Sequence, residues 1–329
     1  MPVLLAGPPA PTLSGSWTVW RLDLLIVVVL VAAAGGYLAG MVAARRRGRA
    51  WPVPRAVAFF GLGLGGLAVI GLGWPAVYAP ALFSVYALRL VLLLMVVPLL
   101  VALGRPVELA MTALSEGGAA RLRRLLDSRP AKVFTVPVVS PLLLAVVPFV
   151  VFFTSWYPAT LRYPVLGSVT DVVLLLVGIA VLVPLWEAGT INARVPYAIA
   201  LLFAFIELLA DAVPGIVIRL DTHVIAAVDL TRTWGPSLLH DQQLGGDLLW
   251  CIGEAIDVPF LVLLAVQWYR SDARQAGQID QLLDAAPTVA PSGAQAATVD
   301  PDGAETTRPW WEEDASIFGD RADQFRRRT

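Results

Sequence analysis

The feature that most constrains the fold of this chain is a series of long apolar runs separated by shorter polar segments. Each run is about twenty residues long, which is the length that an α-helix needs to cross the hydrocarbon core of a bilayer. The sequence therefore predicts an all-α, polytopic membrane protein built as a bundle of about seven transmembrane helices. The predicted spans are Leu22–Ala43, Ala56–Val77, Leu82–Leu103, Phe134–Phe153, Val165–Trp186, Tyr197–Ile218 and Leu248–Trp268.

The composition agrees with a membrane protein and excludes several other classes. Hydrophobic residues make up 57% of the 329 residues and charged residues only 15%, whereas soluble domains carry about 25% charged residues. A net charge of −1 supplies no general basic field for nucleic acid. The single cysteine, Cys251, rules out an internal disulfide and a multi-cysteine metal site within this chain.

We predict that residues 1–20 form an external N-terminal segment, that residues 21–270 form the transmembrane domain, and that residues 271–329 form a cytoplasmic tail. From about Ala285 the tail is rich in Ala, Pro, Thr, Gly and acidic residues and has no hydrophobic periodicity. That composition cannot bury enough apolar surface to form a core, so we predict that the tail is largely disordered.

The distribution of arginines predicts the orientation of the helices. The loop after the first run contains Arg45, Arg46, Arg47, Arg49 and Arg55, and the loop after the third contains another basic cluster that includes the segment AARLRRLL. Basic loops remain on the cytoplasmic side, which predicts an external N-terminus and a cytoplasmic C-terminus. We interpret AARLRRLL as a short amphipathic helix whose arginines meet anionic lipid.

Ionisable residues inside the apolar runs are the candidate functional residues, because a charge at membrane depth is costly and needs a partner or a wet cavity. A rise of about 1.5 Å per residue places most of them in the outer third of their helices. The predicted intramembrane polar cluster consists of Tyr86, Arg89, Asp171, Glu207, Asp211, Trp250, Glu254 and Asp257.

Two interpretations of this cluster remain open. It is either a buried ion-pair network that fixes helix packing, or a cation site or polar pocket that faces the external side. In both cases Arg89 should lie within salt-bridge reach of Asp171, Asp211 or Glu254. The histidines, His223 and His240, fall in the predicted external loop Arg219–Asp247, where histidines are usually solvated and less often ligate a metal.

The sequence contains no GxxxxGK, GxSxG or HExxH motif, and its glycine-rich stretch Gly61–Gly73 lies within a predicted span, where small residues serve helix packing. These observations predict a protein that is not an enzyme.

Conspicuous residues along most of the chain, from Trp20 to about Asp284, resemble the CtaG-type cytochrome c oxidase assembly factor family. The resemblance includes WRLD at Trp20–Asp23, the stretch LFS…P…LGRPVELA that begins at Leu82, and DQQLGGDLLWCIGE at Asp241–Glu254. The positions that carry it most clearly are Ser84, Pro98, Gly104, Pro106, Gly215, Asp241, Gln242, Gly246 and Gly253.

The resemblance implies a non-enzymatic protein of the bacterial cell membrane that takes part in maturation of the copper B centre of haem–copper oxidases. Its implied partners are the lipid bilayer and oxidase subunits or other assembly factors. Typical members carry a His-x3-His pair on the third helix, where this chain has Tyr86 and Leu90, and further helix histidines where it has Asp171 and Asp211. We therefore expect no cofactor and no metal ligand set in this chain, although the family suggests copper.

A second interpretation is a transporter or channel for a small cation or metal that uses the polar cluster as its entry site. The sequence offers it neither an internal repeat nor paired broken helices. A haem-dependent oxidoreductase is disfavoured because the predicted spans contain no histidine for axial ligation.

Overall fold

The secondary structure of the chain is helical. The computed structural model describes residues 8–12, 18–128, 139–187, 197–226 and 233–285, and these ranges contain helices, turns and irregular segments but no strand. The features discussed below lie in the compact unit Met1–Ala273. The predicted tail from residue 286 onward lies outside the described residues, and the predicted domain boundaries remain predictions.

The described helices follow the apolar runs. They are α1 (Leu24–Arg46), α2 (Val53–Tyr78), α3 (Phe83–Leu103), α4 (Pro106–Ala113), α5 (Glu116–Leu126), α6 (Val139–Phe152), α7 (Trp156–Arg162), α8 (Pro164–Glu187), α9 (Tyr197–Leu220) and α10 (Leu238–Ala285). The predicted amphipathic segment is confirmed as a helix, α5. The predicted loop Arg219–Asp247 is too long, because α9 continues to Leu220 and α10 begins at Leu238.

Four helices in the described part of the chain, α1, α2, α3 and α8, are long and apolar enough to span a membrane. A fifth span results if Leu144–Phe152 of α6 and Trp156–Arg162 of α7, which meet at 64°, are counted as one. This shows a helical protein with four or five candidate membrane-spanning helices in its described part. Helices α9 and α10 cover the sixth and seventh predicted runs, and the full count of about seven spans remains a prediction.

Helix α3 lies at the centre of the bundle. Its apolar window is 67% buried, compared with 11% for α1. Close approach of neighbouring helices requires glycine, because a Cβ at Gly178 of α8 would overlap the carbonyl oxygen of Leu94 and lie 2.5 Å from Cγ of Pro98. A Cβ at Gly63 of α2 would lie 3.0 Å from Cγ2 of Val101. Small residues thus let α2 and α8 pack directly on the α3 backbone.

The bundle has two ends of different character, which α1 connects. Asp23 lies at the N-terminus of α1 and lines a cavity, so we call this the cavity end. Arg45 and Arg46 lie in the last turn of α1, close to α4, since a Cβ at Gly40 would lie 3.1 Å from Cγ of Leu109. We call this the basic end.

Candidate functional site

A buried ion pair joins the two central helices near the cavity end. Nη1 of Arg89 on α3 lies 2.7 Å from Oδ2 of Asp171 on α8, and the side chains are only 11% and 10% exposed. The predicted salt bridge of Arg89 is therefore present, and Asp171 is its partner. Each of these charges needs the other, because loss of one partner would leave an uncompensated charge where solvent cannot reach it.

The same guanidinium also completes the end of a helix segment. Helix α2 breaks after Leu72, and its last carbonyls have no intrahelical donor. Nε of Arg89 donates to the carbonyl of Ile70 at 3.0 Å, and Nη2 donates to that of Gly71 at 3.3 Å. The backbone N–H of Arg21 donates to the carbonyl of Leu72 at 2.7 Å. Arg89 thus links α2, α3 and α8.

Tyr86 lies one turn before Arg89 on the same face of α3. Its hydroxyl lies 3.2 Å from Oγ1 of Thr160 on α7, and Thr160 donates to the carbonyl of Tyr157 at 2.7 Å. Tyr86, Arg89, Thr160 and Asp171 all line a cavity of about 260 Å³. The structure therefore brings three of the predicted site residues to one cavity.

Asp23 and Ser168 also line this cavity, and neither was predicted as a site residue. Asp23 caps α1 by accepting from the backbone N–H groups of Leu25 at 3.0 Å and Ile26 at 3.3 Å. The hydroxyl of Ser168 on α8 donates to the other carboxylate oxygen of Asp23. An aspartate directly before an apolar run is an N-cap signal, so Asp23 could have been found, whereas nothing local marks Ser168.

The remaining members of the predicted cluster do not lie at this cavity or cannot be placed. Nε1 of Trp250 donates to Oε1 of Glu254 at 3.2 Å, one turn along α10, and neither residue lines the cavity. Trp250 is 41% exposed. The side chains of Glu207, Asp211 and Asp257 lie outside the described residues. Among the three carboxylates offered as partners of Arg89, Asp171 makes the ion pair, and the place of Glu254 in the predicted cluster stays a prediction.

Asp241, from the motif region, is a buried carboxylate that caps α3 from a distant part of the sequence. Its Oδ2 accepts from the backbone N–H of Phe83 at 2.7 Å, and its Oδ1 accepts from the backbone N–H of Ser84 at 3.3 Å and from the Ser84 hydroxyl. Leu82, at the N-cap position, has no side-chain acceptor. Asp241 supplies the acceptor that Leu82 lacks, and its negative charge is favourable at the positive end of the α3 dipole.

Other motif residues serve packing at the same end. Oε1 of Gln242 accepts from the N–H of Ile225 at 2.8 Å and its Nε2 donates to the carbonyl of His223 at 2.9 Å, which ties the α9–α10 loop to α10. A Cβ at Gly215 would lie 2.8 Å from the carbonyl oxygen of Gly246. Helices α9 and α10 therefore cross at two glycines.

The motif residues around α3 have separate roles. Pro98 is buried in α3, and the carbonyl of Gly104 accepts from the hydroxyl of Tyr37 at 2.8 Å. Pro106 begins α4, where its missing N–H is not needed. A Cβ at Gly253 would meet nothing within 4 Å, so packing in the structure does not explain that glycine.

The basic end carries a second, more exposed group of charges. Glu108 on α4 accepts from Arg55 at 2.7 Å and from Arg105 at 3.0 Å. Partial burial raises the pKa of Glu108, but the hydrogen bonds from Arg55 and Arg105 outweigh it, so the pKa lies below its ordinary value. Arg55 also stacks over Trp51, with its Cζ 5.1 Å from the ring centroid.

The donor set near Tyr86 does not suit copper. Tyr86 and Leu90 share a face of α3, and Leu90 offers no lone pair. Within the part of the chain that the structure describes, no group of three or more His, Cys, Asp or Glu residues could hold a metal ion. The His223 side chain is 93% exposed and lies 3.4 Å from Asp221.

Comparison with known proteins extends the motif-based resemblance. A family model described as cytochrome c oxidase caa3 assembly factor (Caa3_CtaG) matches residues 35–271. Uncharacterized proteins of Mycobacterium bovis and Mycobacterium tuberculosis are 32% identical to the chain over 289 residues, which is 84% of this chain and 43% of each relative. The chain thus spans less than half the length of these curated relatives. No solved structure matches it.

Proposed function

The chain belongs to the cytochrome c oxidase caa3 assembly factor family, and from this premise we propose that it assists assembly of a haem–copper oxidase in the bacterial cell membrane without itself binding copper at α3. It acts by contact with oxidase subunits or with another assembly protein and catalyses no reaction. The family implies that copper is the cargo of the pathway that leads to the copper B centre.

The observation that carries the copper-free part of this proposal is the ion pair between Arg89 and Asp171, at 2.7 Å. A metal cation bound beside Tyr86 would have to approach the guanidinium of Arg89, and the two positive charges would repel each other. Arg89 already neutralises the carboxylate of Asp171. The guanidinium of Arg89 therefore occupies the position at which the family resemblance leads one to look for a bound metal cation.

Two measurements test the proposal together. Deletion of the gene should lower the amount of assembled, active haem–copper oxidase in membranes, and added copper should restore it little, because the missing function is protein contact. Purified protein should contain far less than one copper per chain by inductively coupled plasma mass spectrometry. Stoichiometric copper would contradict the copper-free site, and unchanged oxidase activity would contradict the assembly role.

The orientation of the helices is part of the proposal. With the basic end in the cytoplasm, the cavity end faces the external side, where the copper centre is matured in the family. Reporter fusions at Arg47 and Arg124 should be cytoplasmic, and a fusion near His223 should be external. An external reporter at Arg124 would reverse the orientation and place the cavity on the wrong side for this role.

A small-cation transporter or channel is the second candidate, and the structure contains two observations in its favour. Asp23 and Asp171 line the cavity, and α6 and α7 meet at 64° close to it. This is a single bent pair, whereas the sequence-based prediction concerned paired broken helices, so that prediction is not contradicted and stays a prediction. Cation uptake into proteoliposomes that is abolished by Asp171→Asn would favour this candidate.

A further inference from the structure

The cavity at the end of α1 has walls of mixed and balanced charge. Two guanidiniums, Arg21 and Arg89, and two carboxylates, Asp23 and Asp171, line its volume of about 260 Å³. Asp23, Arg89 and Asp171 are buried, whereas Arg21 is exposed. A cavity with such walls does not stay dry, because buried charges require water or a polar ligand.

The buried pair retains capacity to bind a further group. Arg89 has five N–H donors, and its contacts with Asp171, Ile70 and Gly71 account for three. Among the described residues the structure shows no acceptor for the others. It likewise shows no hydrogen-bond partner for Oδ1 of Asp171 in the described part of the chain. Both donors and acceptors therefore remain available around one cavity.

The charge pattern selects the chemistry of the occupant. A simple anion would be attracted by Arg21 and Arg89 but repelled by the two carboxylates. A simple cation would be attracted by the carboxylates but repelled by the two guanidiniums. A group that contains both charges can place its anion near the guanidiniums and its cation near Asp23 and Asp171. Carboxylate oxygens accept N–H donors, so a primary ammonium fits this end better than a quaternary one, which has none.

We propose that this cavity binds a zwitterionic group in which a phosphate or carboxylate is joined to a primary ammonium. A volume of about 260 Å³ far exceeds the roughly 10–15 Å³ of cavity volume that one water molecule needs, so the cavity has room for a small polar group. A phosphoethanolamine group is small and contains both charges. It can reach the cavity as a free molecule or as the headgroup of a membrane lipid, and the two sources share the same recognition.

The test uses the full-length protein purified into nanodiscs that contain phosphatidylethanolamine, phosphatidylcholine or phosphatidylglycerol, with retained lipid counted by native mass spectrometry. In detergent without ethanolamine lipid, free phosphoethanolamine is added and the unfolding temperature is measured. We expect preferential retention of phosphatidylethanolamine, or a concentration-dependent rise in unfolding temperature with phosphoethanolamine. The first result identifies a lipid headgroup as the ligand and the second a free zwitterion.

Arg21→Gln is the variant of choice, because Arg21 is exposed and its backbone bond to Leu72 does not depend on its side chain. It should weaken binding about tenfold, as expected for loss of one charge-assisted hydrogen bond. Arg162→Gln is the matched control, since Arg162 is also exposed but does not line the cavity. The proposal is overturned if the three lipids are retained equally and free phosphoethanolamine also leaves the unfolding temperature unchanged, or if Arg21→Gln binds the probe as the wild type does. These assays contain no oxidase, so their outcome is independent of the proposed assembly role.

Discussion

The two ends of the bundle each contain an arginine paired with a carboxylate at the same distance, yet the pairs differ in environment. Arg89 and Asp171 lie 2.7 Å apart with side chains 11% and 10% exposed. Arg55 and Glu108 also lie 2.7 Å apart, but their side chains are 30% and 38% exposed. Equal geometry therefore does not mean equal energy.

The two ion pairs differ in energy because a charge that loses its partner has a different environment at each end of the bundle. At the basic end, water and salt solvate an abandoned charge, so the net contribution of such a pair is about 0.2–1 kcal/mol. At the cavity end the abandoned charge stays buried, and breaking such a pair costs about 3–5 kcal/mol. The guanidinium of the buried pair also donates to two backbone carbonyls, those of Ile70 and Gly71.

The largest effect is expected for Arg89→Leu, which leaves the carboxylate of Asp171 and the carbonyls of Ile70 and Gly71 without their donor. We expect a loss of about 3–5 kcal/mol in unfolding free energy, measured by denaturant titration in mixed micelles. The double variant with Asp171→Asn should recover part of the loss, because the uncompensated charge is then absent.

Arg55→Leu is the matched control for that experiment, since it breaks a pair of the same length at the basic end. Its cost should stay within about 1 kcal/mol. Similar losses for Arg89→Leu and Arg55→Leu, without coupling between Arg89 and Asp171, would mean that the guanidinium of Arg89 reaches solvent.

Asp241→Asn tests a buried charge that is stabilised by helix N–H groups. The amide keeps the shape of the side chain, but its NH₂ group must face the N–H donor of either Phe83 or Ser84, because these donate to different carboxylate oxygens. We expect a loss of about 1–3 kcal/mol and faster amide hydrogen exchange in the first turn of α3. Unchanged exchange at Phe83 and Ser84 would show that the cap is not needed.

Gly178→Ala separates the effect of burial from that of charge, because no charged group is altered. Its Cβ would overlap the backbone of Leu94, and overpacking of this kind costs about 1–3 kcal/mol. Gly253→Ala is the control, since its Cβ meets nothing within 4 Å and alanine favours a helix by about 0.5–1 kcal/mol. The thermal unfolding temperature should fall for the first variant and stay or rise for the second.

The smallest effect is expected for Glu108, whose pKa in the folded protein lies below its ordinary value of 4.5. A lowered pKa stabilises the folded state above the unfolded-state pKa, and this contribution disappears as the pH falls through the folded-state value. The wild type should therefore lose slightly more stability than Glu108→Gln between neutral pH and a pH below 4.5. If the stability of the two proteins changes equally with pH, the contacts of Arg55 and Arg105 with Glu108 do not contribute to the stability.

Local sequence patterns were sufficient to predict much of this protein. The apolar runs predicted helices at the correct places because the cost of exposing backbone polar groups to lipid leaves few alternatives. The intramembrane position of Arg89 required a partner for the same reason. The motif residues predicted the family, which the match to residues 35–271 confirms.

Contacts between distant segments decided the rest. The choice of Asp171 rather than Glu254 as partner of Arg89 depends on which face of each helix meets α3, and depth along the membrane does not reveal that. Asp241 caps a helix that begins 158 residues earlier in the chain, and Asp23 meets Ser168 across 145 residues. Helix periodicity defines which residues share a face, but only the packing of the bundle determines which faces meet.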